Sequence, residues 1–153
     1  DGEAISALMT SLENEKKYQI SKKIRTGLGN FYGGFADQEE TKETIGRMYR
    51  ENGYLIDTHT AVGYKVYEDY KKETGDTTPT IIASTASAYK FAESVSKALD
   101  IPEECDGFAY IHALNTKTNI PIPTGLRNLE SKRVLHKEVL EKNELLKLIR
   151  ELL

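Results

Sequence analysis

The sequence has no tryptophan, one cysteine, three histidines and four prolines in 153 residues. The single cysteine, Cys105, cannot form a disulfide within the chain. Together with three scattered histidines it does not give the spacing of a metal-binding cluster. We therefore expect no metal site, and the reducing cytoplasm is the compartment that fits this cysteine usage best.

Long apolar runs and an excess of one charge are also absent. No run approaches the roughly 20 apolar residues that a membrane-spanning helix needs. The 21 basic and 24 acidic residues are scattered along the chain, for a formal net charge of -3. Because no basic face is available to neutralise a phosphate backbone, we expect neither nucleic acid nor a membrane as a partner.

What is present is the composition of one globular domain, with 39% hydrophobic and 29% charged residues. The chain begins at Asp1 without a methionine, and residues 3–14 already carry apolar side chains at helical spacing. We therefore expect the chain to be cut from a longer fold.

Helical periodicity is clearest over residues 38–52. Asp37 is the predicted N-cap, Glu40 occupies the capping-box position and Gly53 is the predicted stop. Helices are also predicted over 3–14, 19–27, 59–74, 88–99 and 143–152, with a helical turn or more within 107–114.

Two short apolar runs, Tyr54 to Ile56 and Thr80 to Ala83, each precede a polar turn and a helix. Strands that alternate with helices indicate parallel βαβ structure. Two strands cannot close a sheet with helices on both faces. We therefore predict an α/β fold, in which residues 1–153 supply part of a larger parallel sheet flanked by helices.

The turn after the second run is rich in hydroxyl groups, with Ser84, Thr85 and Ser87, and Lys90 follows one turn into the next helix. Backbone N–H groups at a helix start and an ammonium group suit an anion such as a phosphate. The simpler interpretation is that Ser87 caps the helix and Lys90 is a surface lysine.

The turn after the first run carries His59, next to Thr60 at the start of a helix. A neutral imidazole there can accept a hydrogen bond or move a proton. Helix capping by Asp57 and Thr58 is the simpler interpretation of the polar residues around it.

Two blocks of this sequence are DTHTAVGY, from Asp57 to Tyr64, and IASTASAYKF, from Ile82 to Phe91. Both resemble the C-terminal region of threonine synthases. The resemblance extends over most of the chain and is weakest after about residue 130. Thr58 and Ala88 stand where members of that family commonly have proline, a departure that removes no reacting group.

The resemblance implies a fold-type II pyridoxal-phosphate enzyme that converts O-phospho-L-homoserine and water to L-threonine and phosphate. It also implies that a neutral hydroxyl faces the pyridine nitrogen of the cofactor. Thr85 falls at the matching position, and Ser84 is its nearest competitor.

The same resemblance makes Ser87 and Lys90 candidates for binding the anionic group of the substrate. It places His59 and Thr60 on the substrate side of the pocket, where we expect catalytic roles.

The family's lysine that holds pyridoxal phosphate, and its loop that binds the cofactor phosphate, match no segment of this sequence. We therefore expect the chain alone to be inactive, to need the N-terminal part of the same enzyme, and to self-associate through surfaces that this part covers. Two alternatives are another fold-type II enzyme, such as a threonine dehydratase, and a non-catalytic α/β module that binds a protein.

Overall fold

The structure, a computed structural model, describes residues 1–102, 107–135, 137 and 139–152. All regular elements in this part of the chain are helices. The α-helices are α1 (Gly2–Glu15), α2 (Lys22–Gly27), α3 (Gln38–Asn52), α4 (Thr58–Thr74), α5 (Ala92–Ala98), α6 (Gly107–Thr118) and α7 (Leu145–Leu152). Two 3-10 helices, Ala88–Phe91 and Leu129–Ser131, accompany them, and the first leads directly into α5.

The boundaries of α3 follow from its capping residues. Oδ1 of Asp37 accepts a hydrogen bond from the Glu40 amide at 2.8 Å, and Oε2 of Glu40 accepts one from the Asp37 amide at 2.9 Å. Gly53 ends the helix with φ 64°, in the left-handed region that glycine enters without strain. The predicted capping box, stop and boundaries of α3 are confirmed.

The predicted parallel βαβ sheet is wrong. The described residues contain no strand, and residues 54–56 and 80–83 are connecting segments between helices. Ile81, in the second predicted strand, is 96% exposed. A short Ile-rich or Leu-rich run becomes a strand only where a second run pairs with its N–H and C=O groups. Neither run has such a neighbour within the part of the chain that the structure describes, and the predicted α/β class is replaced there by an arrangement of helices.

Helix packing builds the core instead. α3 packs against α4 and α5, and α5 packs against α6. Ile45 of α3, Val95 of α5 and Leu114 of α6 are almost completely buried at these contacts. Burial of such a side chain stabilises a fold by about 1.5–3 kcal/mol, so these three helices hold the centre of the domain.

α1, α2 and α7 lie outside this core. Neither α1 nor α2 has a buried residue. The apolar side chains of α1 and α7 are instead largely exposed to solvent: Ile5, Met9, Leu12, Leu145, Leu146 and Ile149. None of the described helices is both long and apolar enough to cross a bilayer.

The tightest contact in the core is at Gly46, where α3 crosses α5. A Cβ atom at this position would lie 2.6 Å from the Ala98 carbonyl oxygen and 2.8 Å from an Arg50 nitrogen. Backbone cannot yield as a flexible side chain can, so glycine sets the distance between the two helices.

We expect Gly46→Ala to lower the free energy of unfolding by about 1–3 kcal/mol, the usual cost of overpacking a core. Gly63→Ala is the matched control, because Gly63 lies inside α4 and a Cβ there would meet nothing within 4 Å. The control should gain about 0.5–1 kcal/mol from helix propensity. Urea unfolding of both variants measures the difference, and equal stabilities would contradict the close crossing.

Candidate functional site

The two sequence blocks, residues 57–64 and 82–91, contact each other through a pair of hydroxyl groups. The Thr60 hydroxyl, in the first turn of α4, donates a hydrogen bond to Ser84 Oγ at 3.0 Å. Thr60 itself is buried, whereas Ser84 is exposed. The start of α4 therefore holds the hydroxyl-rich connection that precedes the 3-10 helix.

Asp57 is the N-cap of α4 and has no exposed side-chain surface. Its Oδ1 accepts a hydrogen bond from the Thr60 amide at 2.9 Å. Its Oδ2 is equally buried and has no hydrogen-bond donor among the described residues. Nδ1 of His59 lies 3.9 Å from this oxygen.

His59 projects outward from the same turn, with 69% of its side chain exposed. Its ring lies 4.9 Å from the ring of Phe91, measured between centroids. His59 is thus held on one side by an aromatic contact and has its other side open to solvent.

His59 also lines a cavity of about 680 Å³ between the starts of α3 and α4 and the side of α5. The polar and charged lining comes mostly from the other two helices: Gln38, Thr41, Lys42, Glu93, Ser94 and Lys97. Sequence reasoning missed these residues, because no local motif shows that three separate helices face one space.

Ser87 and Lys90 have local roles in the structure. Ser87 is the N-cap of the 3-10 helix, and its Oγ accepts a hydrogen bond from the Tyr89 amide at 3.3 Å. Lys90 is exposed and places Nζ 5.4 Å from the centroid of the Phe91 ring. Phe91 therefore contacts both His59 and Lys90.

Thr85 lies exposed in the connection before the 3-10 helix, outside any helix and outside the core. Its predicted place at the end of a strand is wrong, because residues 80–83 form none. Like Ser84, Ser87 and Lys90, it does not line the cavity at His59. The structure thus brings His59, Thr60 and Ser84 together and leaves Thr85 accessible beside them.

No group of three His, Cys, Asp or Glu side chains suited to a metal ion occurs within the described ranges. Cys105 and His136 lie outside them.

The sequence matches a known protein family over more than half of its length. Residues 60–149 match the family model described as "Threonine synthase, C-terminal". The matched stretch contains both partners of the Thr60–Ser84 hydrogen bond and the whole of α5 and α6. His59 and Asp57 precede it directly.

Relatives in animals and bacteria agree with this match. The chain is 36% identical over 104 residues to human "Threonine synthase-like 1", an overlap of 67% of this chain and 14% of that protein. It is 29% identical over 99 residues to "Threonine synthase" of Pseudomonas aeruginosa, covering 64% of this chain and 21% of the relative. Human "Threonine synthase-like 2" is 29% identical to this chain over 104 residues, covering 67% of this chain and 22% of that protein.

The matched region is therefore less than a quarter of the length of each of these relatives. Together with the family match over residues 60–149, these similarities establish that the chain belongs to the threonine synthase family and corresponds to its C-terminal region.

Proposed function

We propose that the chain forms the C-terminal part of a pyridoxal-phosphate-dependent lyase that converts O-phospho-L-homoserine and water to L-threonine and phosphate. Family membership supports this reaction over that of a threonine dehydratase. The observation that carries the proposal is the Thr60–Ser84 hydrogen bond at 3.0 Å. It joins the two family-like blocks into one surface, with the neighbouring hydroxyl of Thr85 exposed.

The hydroxyl groups of this surface fit the cofactor that the family implies. When bound, pyridoxal phosphate supplies an electron sink for carbanion chemistry. Ser84 is held against α4 by the hydrogen bond that it accepts from Thr60, whereas Thr85 is an exposed residue beside it. Thr85 is accordingly our candidate to face the pyridine nitrogen, where a neutral hydroxyl leaves that nitrogen largely unprotonated.

The substrate is assigned to the residues around Phe91. Lys90 is exposed, and Ser87 is the N-cap of the 3-10 helix that contains Lys90 and Phe91. A cationic side chain of this kind suits the phosphate of O-phospho-L-homoserine. His59, exposed at the edge of the cavity, is the candidate for proton transfer, and Thr60 keeps the connection in place through Ser84.

In the complete protein, Thr85→Val should lower turnover by about 10²-fold, the usual effect of removing one pre-organised polar contact. Stability should change little, because Thr85 is exposed and valine keeps its shape. Thr77→Val is the matched control, since Thr77 is an exposed threonine in the same connection. Steady-state kinetics compares the two variants, and normal turnover in Thr85→Val would move the role to Ser84 or remove it.

The 153-residue chain alone should neither bind pyridoxal phosphate covalently nor make threonine. Covalent binding needs an amine held at the cofactor aldehyde, and no lysine here lies in a segment that resembles the family's cofactor lysine. Incubation with pyridoxal phosphate, borohydride reduction and mass spectrometry provide the measurement. A single stoichiometric pyridoxyl-lysine adduct would contradict the division of the site between two parts of the protein.

The partner that we propose for the exposed apolar faces of α1 and α7 is the N-terminal part of the same enzyme. We also propose a cytoplasmic location, because a single cysteine that cannot form a disulfide within the chain fits a reducing compartment best. Without that part, the chain should self-associate, because contiguous apolar patches of more than a few hundred Å² are uncommon on stable monomers.

Light scattering over a concentration series should therefore show a mass that rises with concentration. Met9→Lys and Ile149→Lys, each on an exposed apolar face, should shift this rise to several-fold higher concentration. Asn52→Lys, at an exposed position of α3, is the control for the added charge. A monomer at every concentration would favour a self-sufficient domain.

A further inference from the structure

The side chain of Asp57 carries one more acceptor than helix capping uses. A cap needs a single oxygen, and hydroxyl groups serve this purpose at Ser21 and Ser87 in the same chain. In Asp57, Oδ1 caps α4 while Oδ2 is buried without a donor. Burying an unpaired carboxylate oxygen is costly, and this cost favours a neighbouring group that can donate a hydrogen bond to it.

The neighbour that can serve Oδ2 is His59, whose Nδ1 is 3.9 Å away. This distance is about 1 Å longer than a hydrogen bond. The two side chains differ in freedom, because Asp57 is fixed by burial and by its bond to the Thr60 amide, whereas His59 is mostly exposed. A rotation of the exposed imidazole about its side-chain torsions would be the movement that closes this gap.

We propose that Asp57 is a positioning residue for His59. Its Oδ2 accepts a hydrogen bond from Nδ1–H, which leaves Nε2 of the neutral ring unprotonated and available to accept a proton at the cavity. A carboxylate that fixes the tautomer and orientation of an imidazole is a general device of proton-transfer sites. The catalytic use of Nε2 rests on the proposed function, whereas the tautomer of His59 does not.

The decisive measurement is the tautomer of neutral His59 in the wild-type chain. Nitrogen-15 NMR of the imidazole rings distinguishes Nδ1–H from Nε2–H, at a pH well above the ordinary histidine pKa of about 6.5. His59→Gln assigns the signal by its loss. We expect Nδ1–H to predominate in His59, and a predominant Nε2–H form would overturn the proposal.

His112 gives an internal reference in the same spectra. Its Nε2 lies 2.9 Å and 3.1 Å from the two carboxylate oxygens of Glu130. Because a carboxylate can only accept, this contact favours Nε2–H, the opposite tautomer.

The test variant is Asp57→Asn, which keeps an oxygen for the cap and replaces the free oxygen with an NH₂ donor. A donor facing Nδ1 favours Nε2–H, so the Nδ1–H population of His59 should fall at least about twofold. Asp37→Asn makes the same change at the N-cap of α3 and should leave His59 unchanged. If Asp57 were only a cap, neither variant would alter the tautomer of His59, and the proposal would fail.

Asp57→Ser, which also keeps a capping oxygen, is the second variant in case the amide disturbs folding, and it should lower the Nδ1–H population as well. The wild-type spectrum decides the question even if both variants unfold. The outcomes also separate the two proposals. A wild-type Nε2–H tautomer removes the role of Asp57 whether or not the complete protein makes threonine. An Nδ1–H tautomer in a complete protein that makes no threonine contradicts the proposed reaction and leaves the pairing intact.

Discussion

The close crossing of α3 and α5 at Gly46 is the constraint on which the rest of the structure depends. A side chain there would meet the Ala98 carbonyl oxygen at 2.6 Å, so only glycine permits this approach. The approach brings Ile45 and Val95 into the core and lets α5 line the same cavity as the starts of α3 and α4. As a result, Ser94 and Lys97 of α5 share a cavity with His59. The composition of the cavity thus follows from backbone packing at a residue that does not itself line it.

The candidate site is organised by helix starts. Asp57 begins α4 and Ser87 begins the 3-10 helix, and each cap fixes the direction in which the following residues leave the chain. Polar side chains at such positions cap helices, so the same residues are consistent with a capping role and with a chemical one. The structure separates the two uses atom by atom: Ser87 Oγ is occupied by its cap, whereas Asp57 retains an unused oxygen next to His59.

Sequence reasoning succeeded where the determinants are local. The capping box of α3 and the glycines that end α3 and α4 act within one turn of their own helix, so their consequences are legible in the sequence. The predicted strands were wrong because a strand forms only where a second segment pairs with it. Apolar residues such as Ile81 and Ile82 occur both in paired strands and in unpaired connections. The family-like blocks contained Thr60 and Ser84, which are hydrogen-bonded, and His59 and Phe91, whose rings are in contact. The α3 and α5 residues of the cavity could not be found, since their contribution depends on the Gly46 crossing.

The contact between Thr60 and Ser84 has a further consequence for motion. A hydrogen bond of this kind contributes about 1 kcal/mol, which corresponds to a population ratio of roughly fivefold. Bonds this weak open and close far more often than the fold as a whole unfolds. The hydrogen bond that holds the hydroxyl-rich connection against α4 therefore breaks and re-forms by thermal motion. Release of this bond would free the Ser84 side chain from α4, while the ring contact between His59 and Phe91 would still join the two family-like blocks.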